Sequence, residues 1–318
     1  MPEIISKAFQ FIPSVVKYYR ENRRLSCVDF FNYSELIKGG FNLPPFFNSV
    51  LLYGNNKAIE SITKRKFSLL RDYVEHGVCF YDTPESTMLM GYADRIGIQN
   101  IYTFGTHRKA LIEEYLQSRG LRKNVIAVGP YIIGASNFHT EQELQAIKQK
   151  YGKILLVYPS HSINAVQAEY DEQSLISEIG SHVMDFDSVF ICLYWKDILN
   201  TGRLQKYRNS GYTIVCNGLG SDPFFLSRQK DIIMLSDMVM TNGLGTHIGY
   251  AVSLGKPVYF FHQNKQISDE NGNLISVNKN YEHVEEHFKK VFSRYSFDIT
   301  YEQQCLVEKY WGSPVDRC

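Results

Sequence analysis

Residues 236–261, SDMVMTNGLGTHIGYAVSLGKPVYFF, contain the pattern that decides the fold of this chain. Short apolar runs predict two strands, Met238–Met240 and Val258–Phe261, and the residues between them predict a helix over Thr246–Leu254. Glycines interrupt the chain before the helix, and the sequence Gly255-Lys256-Pro257 ends it. The stretch therefore predicts a βαβ unit, which belongs to a parallel sheet in an α/β protein.

The turn before the predicted helix has the properties of an anion site. The first amides of a helix have no backbone partner and lie at the positive end of its dipole, so a phosphate is favoured there. The glycine spacing matches neither common phosphate-loop pattern, and an ordinary α/β corner is the alternative. The residues predicted to bind a phosphate-bearing ligand at this turn are Thr241, Asn242, Gly243, Gly245, Thr246 and His247.

The order of these elements resembles the carboxyl-terminal donor domain of the GT-B glycosyltransferases, especially the bacterial enzymes of surface-polysaccharide assembly. The resemblance rests on a strand ending in small polar residues, then Gly-Thr-His, a helix with small residues, Gly-Lys-Pro and a second strand, and it covers mainly residues 153–262. It implies two Rossmann-like parallel-sheet domains that face each other across a cleft, with C-terminal helices crossing back. The implied boundaries are 1–135 for the acceptor-side domain, 136–280 for the nucleotide-sugar donor domain and 281–318 for a helical tail.

The loop Ser160-His161-Ser162 follows Ile154–Tyr158, an apolar run that predicts a strand covered on both faces. Ligands of open α/β sheets bind beyond the carboxyl ends of the strands, so this loop is predicted to lie in the site. The imidazole of His161 is suited to donate to a nucleotide phosphate. Within the GT-B resemblance, the bacterial sialyl- and Kdo-transferases have a His-Pro pair at a comparable place, and this chain departs from that pattern because Ser162 follows His161. The predicted donor is a CMP- or UDP-sugar.

Two more predicted strand ends supply candidates for the rest of a nucleotide. Lys196 follows Tyr194 and Trp195, and a lysine beside two aromatic rings suits a negatively charged ligand that carries a base. Asn217 and Gly218 begin the loop after the next predicted strand. In many GT-B donor domains, which this region resembles, the corresponding loop holds the base through backbone groups.

The first half contains one chemically suggestive loop, GVCFYDTPESTML over Gly77–Leu89. Asp82 and Glu85 are carboxylates in this hydroxyl-rich loop, and a sugar transfer with inversion needs a carboxylate or histidine to take the proton of the acceptor hydroxyl. Ordinary helix N-cap chemistry is the alternative. Before this loop, the apolar run over 48–53 predicts a buried strand, and a helix is predicted from Lys57 to Glu75.

Composition limits the class of protein. Over 318 residues, 44% are hydrophobic and 21% are charged, which predicts a globular chain of about two domains. The formal net charge of +1 argues against a general nucleic-acid binder. The 6 cysteines have neither zinc-ligand nor disulfide-scaffold spacing, so a reducing cytoplasm is expected. No secretory signal and no apolar run long enough to span a membrane is recognisable.

The amino-terminal residues 4–24 combine apolar side chains at helix-like spacing with basic residues such as Lys17, Arg20 and Arg23. A basic, aromatic, amphipathic segment can lie on an anionic membrane surface. A helix packed on its own domain is the alternative. The first interpretation places the protein peripherally on the inner membrane, where lipid-linked acceptors are found.

These observations predict a cytoplasmic GT-B-like glycosyltransferase that moves a sugar from a nucleotide donor to a glycan or lipid-linked glycan acceptor, as in lipopolysaccharide or capsule assembly. The resemblance implies a reaction without a metal, in which His161 and the Thr241–His247 turn stabilise the charge on the leaving phosphate. Asp82 or Glu85 acts as the base if the reaction inverts. Three alternatives keep the fold: a sugar-nucleotide epimerase, a pyruvyl-type transferase and a non-catalytic subunit of a polysaccharide assembly complex.

Overall fold

The computed structural model describes residues 16–39, 51–68, 70–81, 97–162, 167–269, 271–275 and 279–313. A parallel sheet of three strands lies in the first half, with its strands adjacent in chain order. These strands are β1 (Asp72–Val74), β2 (Asn100–Thr103) and β3 (Asn124–Ala127). The helices before and around them are α1 (16–25), α2 (Tyr33–Leu36), α3 (Asn55–Thr63), α4 (Thr106–Ser118) and α5 (Tyr131–Gly134).

The second half contains a parallel sheet of five strands and a separate antiparallel pair. In chain order its strands are β4 (Ile154–Tyr158), β5 (Gln167–Tyr170), β6 (Ser188–Cys192), β7 (Thr213–Val215), β8 (Met238–Thr241), β9 (Val258–Phe260) and β10 (Lys265–Ser268). Its helices are α6 (Glu141–Tyr151), α7 (Glu172–His182), α8 (Trp195–Leu199), α9 (Thr201–Asn209), α10 (Phe225–Leu235), α11 (Thr246–Ser253), α12 (Lys279–Val291) and α13 (Tyr301–Trp311).

The strand order of the large sheet is β7-β6-β4-β8-β9, while β5 and β10 form the antiparallel pair. The chain therefore enters this sheet at the central strand β4, adds β6 and β7 towards one edge, and then adds β8 and β9 towards the other edge. β4 and β8 are neighbours at the point where the direction switches, and all residues of both strands are buried. The predicted βαβ unit is present as β8, α11 and β9. The predicted fold class, α/β with two Rossmann-like parallel sheets, is confirmed.

The terminal helix α13 contacts both halves, which confirms the predicted crossing back of the C-terminal helices. Trp311 is fully buried, and its indole Nε1–H donates to the Thr246 carbonyl oxygen at 3.1 Å in α11. The next residue, Gly312, packs against Gly105 at the start of α4, where an added Cβ on Gly105 would lie 2.8 Å from the Gly312 nitrogen. One helix end thus closes against elements of both sheets.

Two predictions for the first half are wrong. The run that was expected to end a buried strand at Tyr53 instead forms a 3₁₀ turn over Leu52–Gly54, and α3 ends at Thr63 rather than at Glu75. The cause is backbone conformation, because Tyr53 and Lys64 adopt left-handed φ values of 58° and 57°. Residues other than glycine rarely adopt this conformation. Gly54 marks the turn at Tyr53, but the sequence pattern contains no signal for the break at Lys64.

His139 connects three segments that are distant in sequence. Its Nδ1 lies 2.9 Å from Asp231 Oδ2 in α10, and its Nε2 lies 3.0 Å from Asp29 Oδ2 in the amino-terminal segment. Burial acts to lower the pKa of this imidazole, but the hydrogen bonds and charges of the two carboxylates outweigh it and raise the pKa to about 9. The charged imidazole therefore holds α10 and the amino-terminal segment together.

We expect the stability that His139 provides to fall at alkaline pH. Folding raises the pKa of the His139 imidazole from its ordinary value of 6.5 to about 9. The contribution of His139 to stability is therefore complete below pH 6.5 and is lost as the pH rises through about 9. His139→Gln should lower the free energy of unfolding by roughly 2–3 kcal/mol at pH 6, and this difference should shrink towards pH 10. Urea denaturation across this range measures it. His283→Gln, on an exposed position of α12, is the control, and a pH-independent difference for His139→Gln would contradict the account.

No helix in the described part of the chain combines the length and the apolar character that crossing a membrane requires.

Candidate functional site

A cavity of about 420 Å³ lies between the two halves. One wall belongs to the first half, where residues 75–81 follow β1 and Tyr53 precedes α3. The other wall belongs to the second half and consists of residues that follow β4, β6 and β7, together with the start of α11. This second wall lies at the carboxyl ends of the strands beside the switch between β4 and β8, where open α/β sheets bind ligands.

Buried side chains hold the loops after β4 and β8 together. Tyr158 and Thr241 are partners in the sheet, and the Thr241 hydroxyl donates to the Tyr158 carbonyl oxygen at 2.9 Å. Asn242 Oδ1 accepts the Ser160 N–H at 2.6 Å, and Asn242 Nδ2 donates to Gln263 Oε1 at 2.7 Å. Thr241 and Asn242 have no exposed surface. Both residues therefore fix the two loops against each other.

The glycines of the turn are required by close packing. An added Cβ on Gly243 would lie 2.4 Å from Ser160 Oγ, and one on Gly245 would lie 2.8 Å from ring atoms of His247. Contacts below about 3 Å are not tolerated without movement of the neighbouring atoms. The glycine at 243 thus follows from the approach of the two loops, and the glycine at 245 follows from the packing of the His247 ring against its own turn.

The structure brings half of the described binding candidates to the cavity. Those that line it are His161, Asn217, Gly218, Gly245, Thr246 and His247. The other six do not line it: Ser160, Ser162, Asn242 and Gly243 lie in the adjoining loops, Thr241 ends β8, and Lys196 lies in α8. Ser162 is tied in its loop, since its N–H donates to Asp197 Oδ2 at 3.2 Å and its Oγ accepts the Ala168 N–H at 3.2 Å. Asp82 and Glu85 lie outside the described residues, so their role stays a prediction.

His247 presents a neutral imidazole at neutral pH. Burial, followed by the positive charges of His161 and Lys265, lowers its pKa to about 3. Its ring stacks on Tyr158 with the centroids 4.6 Å apart, and its Nε2 lies 3.0 Å from Thr241 Oγ1. His247 therefore contributes polarity and shape to the wall, and positive charge must come from elsewhere.

His161 is accessible from the cavity and lies beside Tyr194, with the ring centroids 5.3 Å apart. The imidazole is exposed to the cavity, and desolvation by the surrounding walls lowers its pKa. The nearby carboxylate of Asp197 acts in the opposite direction, and Lys265 adds to the lowering. A neutral His161 has one N–H to donate to a ligand and one nitrogen that accepts.

The amino-terminal end of α11 opens on the cavity through Gly245, Thr246 and His247. Gly245 is the N-cap residue, and no side chain caps the helix. The hydroxyl of Thr246 accepts the Val78 N–H from the opposite wall at 3.3 Å. The uncapped first turn is therefore directed at the space where the two halves meet, and a helix end of this kind favours an anion.

Glu75, which sequence analysis placed in a helix, lines the first-half wall. Its carboxylate accepts from Arg108 Nη2 at 2.8 Å and from Arg108 Nε at 3.1 Å. The Thr103 hydroxyl donates to its other oxygen at 2.6 Å. Glu75 is the one carboxylate among the described residues that line the cavity, and these contacts hold it in place. It was missed because β1, which positions it, is a strand of three residues.

His76 is a second residue that sequence analysis missed on the first-half wall. Its carbonyl oxygen accepts from Asn55 Nδ2 at 3.1 Å, which fixes the backbone. Burial lowers the pKa of its imidazole, so the ring is neutral at neutral pH. Neither ring nitrogen makes a hydrogen bond to another described residue. A neutral imidazole in this position is able to accept a proton from a ligand in the cavity.

Two buried polar atoms of the second-half wall have no hydrogen-bond partner among the described residues: Asn217 Oδ1 and the Tyr158 hydroxyl. Asn217 and Gln229 lie close to this hydroxyl without reaching hydrogen-bond geometry. Each buried polar group without a partner costs about 1–3 kcal/mol. A ligand with donors and acceptors would satisfy both atoms, so this part of the wall is suited to a polar ligand.

The described residues contain no group of three or more His, Cys, Asp or Glu side chains placed to hold a metal ion. The sequence Asp185-Phe186-Asp187 has the Asp-x-Asp spacing that some glycosyltransferases use for a metal. It immediately precedes β6, so it lies at the edge of the sheet opposite to the cavity. Asp185 accepts from the Tyr295 hydroxyl at 2.7 Å, and Asp187 accepts the Lys153 N–H at 2.7 Å.

No protein-family model matches this chain, and neither does any curated protein. Similar solved structures include S. aureus MnaA with UDP, at 12% identity over 88% of this chain and 81% of that chain with a TM-score of 0.41. The wall teichoic acid polymerase TagF has 11% identity over 62% of this chain and a TM-score of 0.39, and the match spans 51% of the TagF chain. Anabaena HepE with UDP and glucose has 13% identity over 80% of this chain and 70% of that chain, with a TM-score of 0.35.

Proposed function

We propose that this chain is a GT-B-like glycosyltransferase that transfers a sugar from a nucleotide donor to a glycan or lipid-linked glycan acceptor. The main support is the second-half wall of the cavity, where the uncapped start of α11 and the imidazole of His161 face one space. Amides at a helix start favour a phosphate. The resemblance of residues 153–262 to GT-B donor domains points to the same class of ligand.

The donor is proposed to lie along the second-half wall. Its phosphates contact the first turn of α11 and His161, and its base lies towards Asn217 and Gly218. The unpartnered Asn217 Oδ1 supports a polar group of the ligand at that end. The sugar then lies towards the first-half wall, where the acceptor enters. A CMP- or UDP-sugar is the proposed donor.

In the proposed reaction the acceptor oxygen attacks the anomeric carbon of the sugar, and the bond from this carbon to the donor phosphate breaks. Helix amides and the His161 N–H stabilise the charge that develops on the leaving phosphate. If configuration inverts, a base on the first-half wall takes the acceptor proton. His76 joins Asp82 and Glu85 as a candidate for this role, because its neutral ring lines that wall.

A sugar-nucleotide epimerase on the same fold is the main alternative. Epimerisation of this kind calls for acid and base carboxylates on both walls, and Asp197 and Asp222 are the second-half carboxylates near strand ends. Both form ion pairs, with Arg203 and Arg228 respectively. This arrangement favours transfer. Incubation with a nucleotide sugar and no acceptor separates the two functions, because an epimerase changes the sugar of the donor and a transferase that needs an acceptor does not.

Calorimetric titration with CMP-, UDP-, GDP- and dTDP-sugars tests the proposal. We expect one family to bind, and His161→Ala to weaken this binding about tenfold through loss of a hydrogen bond to a charged phosphate. His262→Ala, an exposed histidine outside the cavity lining, is the matched control and should bind as the wild type does. Binding of no family would contradict the transferase and favour a non-catalytic subunit. Equal binding by wild type and His161→Ala would remove His161 from the site.

A further inference from the structure

An ion pair lies beside the turn that precedes α11. Lys265 Nζ, on β10, lies 2.5 Å from Glu285 Oε1, on α12. The same carboxylate oxygen accepts the Leu244 N–H at 3.4 Å. Leu244 directly precedes the N-cap residue of α11. The Glu285 carboxylate therefore binds a backbone N–H and a lysine at the amino-terminal end of this helix, where an anion is favoured.

Lys265 lies beside the turn before α11, behind the residues that line the cavity. Its Nζ would lie 3.5 Å from a Cβ added to Gly243 in the turn. Its positive charge contributes to the lowered pKa of both His161 and His247. Desolvation is the main cause that lowers the pKa of both imidazoles, so both are neutral at neutral pH, and the positive charge near the turn comes from the ammonium group.

Lys265 can leave Glu285 for another anion without leaving the buried carboxylate of Glu285 with no counter-ion. An ammonium group has three donors, and within the described chain Lys265 uses one of them, for Glu285. Glu285 has a second lysine, since Lys289 Nζ lies 3.7 Å from its Oε2. Glu285 therefore keeps a counter-ion when Lys265 turns to another anion. Removing both partners from a buried carboxylate would be far more costly.

We propose that Lys265 is the cation that binds the phosphate groups of the donor, and that Glu285 competes with those phosphates for Lys265 and for the Leu244 N–H. The identity of the ligand as a nucleotide sugar rests on the proposed function, whereas the competition concerns any phosphate. Independent support for a ligand in this cavity is the buried Asn217 Oδ1, which has no partner in the described chain. The protein itself thus supplies an anion, Glu285, that pairs with the proposed phosphate-binding lysine.

Titration with inorganic pyrophosphate and with UDP, by calorimetry on the full chain, tests this competition. Lys265→Met should weaken both ligands about 10- to 100-fold, the effect of losing a charge-assisted hydrogen bond. Lys265→Arg keeps the charge and should bind within about threefold of the wild type. Glu285→Gln should bind both ligands about three- to tenfold more tightly, because the competitor loses its charge.

The matched control is Glu286→Gln, which removes the same charge from a neighbouring carboxylate that pairs with Lys289. It should leave binding unchanged, and the gain from Glu285→Gln should disappear in the Lys265→Met background. Weaker or unchanged binding by Glu285→Gln overturns the inference, as does an equal gain from Glu286→Gln or wild-type binding by Lys265→Met. For a variant that binds neither ligand, the unfolding temperature is measured and compared with that of Lys265→Arg. A variant that is as stable as Lys265→Arg is folded, so its loss of binding is counted as an effect on the site.

The outcomes separate this inference from the proposed function. Lys265-dependent binding of pyrophosphate without binding of any nucleotide sugar supports the anion site and contradicts the transferase. Binding of a nucleotide sugar that does not depend on Lys265 supports the transferase and overturns the role of Lys265. If the wild type binds neither pyrophosphate nor any nucleotide, both are overturned.

Discussion

Replacement of Gly249 by alanine is expected to lower the free energy of unfolding by about 3 kcal/mol, because the added methyl group overpacks the core. Gly249 lies in α11 beneath the indole of Trp311, and an added Cβ would lie 2.1 Å from Trp311 Cδ2 and 2.2 Å from Cε2. The indole has no exposed surface, and its N–H is bonded to the Thr246 carbonyl oxygen. It cannot move without displacing α13 from both halves.

Urea denaturation measures this effect, and Gly180→Ala provides the matched control. Gly180 also lies within a helix, α7, but an added Cβ there meets no atom within 4 Å. The same substitution should stabilise the protein by about 0.5–1 kcal/mol at Gly180, because alanine is the better helix former. Equal stability of Gly249→Ala and the wild type would contradict the packing of α13 on α11.

Asp222→Ala is expected to lower the free energy of unfolding by about 3–5 kcal/mol, because it leaves a buried guanidinium without its counter-ion. Asp222 Oδ2 and Arg228 Nη1 lie 2.7 Å apart, and neither side chain is exposed. Arg228 also donates to the carbonyl oxygens of Leu25 at 2.6 Å and Asn217 at 3.3 Å. The ion pair therefore ties the amino-terminal segment to the loop that lines the cavity, and its loss should weaken ligand binding as well.

Two further variants test why Asp222→Ala lowers the free energy of unfolding. Glu35→Ala breaks an exposed ion pair with Lys38 and should change the stability by less than about 1 kcal/mol. The double variant Asp222→Leu, Arg228→Met removes both buried charges and should be more stable than Asp222→Ala, because no unpaired charge remains. A double variant less stable than Asp222→Ala would show that the hydrogen bonds of Arg228, rather than its charge, account for the effect.

The parallel sheet of the second half could be predicted from the sequence because its central strands are continuous apolar runs. All five residues of β4 and all four of β8 are buried, and such runs bounded by glycine and proline identify a central parallel strand. The first half has weaker patterns. β1 contains three residues and begins with Asp72, and the left-handed residue Lys64 ends α3 where no glycine marks the break.

The location of the candidate site could be predicted from the sequence, but the residues that line it could be predicted only in part. His161, Asn217 and the start of α11, which were identified from predicted strand ends, line the cavity, and their role in binding stays a prediction. Strand ends do not determine which way each side chain points, so Thr241, which fixes the loops from behind, was predicted as a binding residue. Lys265 reaches the turn through the pairing of β10 with β5, strands almost a hundred residues apart, and local sequence contains no signal for such a pairing.

Chemical protection of Cys79 tests most directly whether a nucleotide sugar binds between the two halves. Cys79 is half-buried and lines the first-half wall of the cavity, whereas Cys27 and Cys305 are exposed elsewhere. The rates of alkylation of all three, followed by mass spectrometry, are compared with and without each nucleotide-sugar family. We predict that one family slows modification of Cys79 with saturable dependence on its concentration, while Cys27 and Cys305 react at unchanged rates. An unchanged rate at Cys79 with every family, or an equal change at all three cysteines, would contradict binding in this cavity.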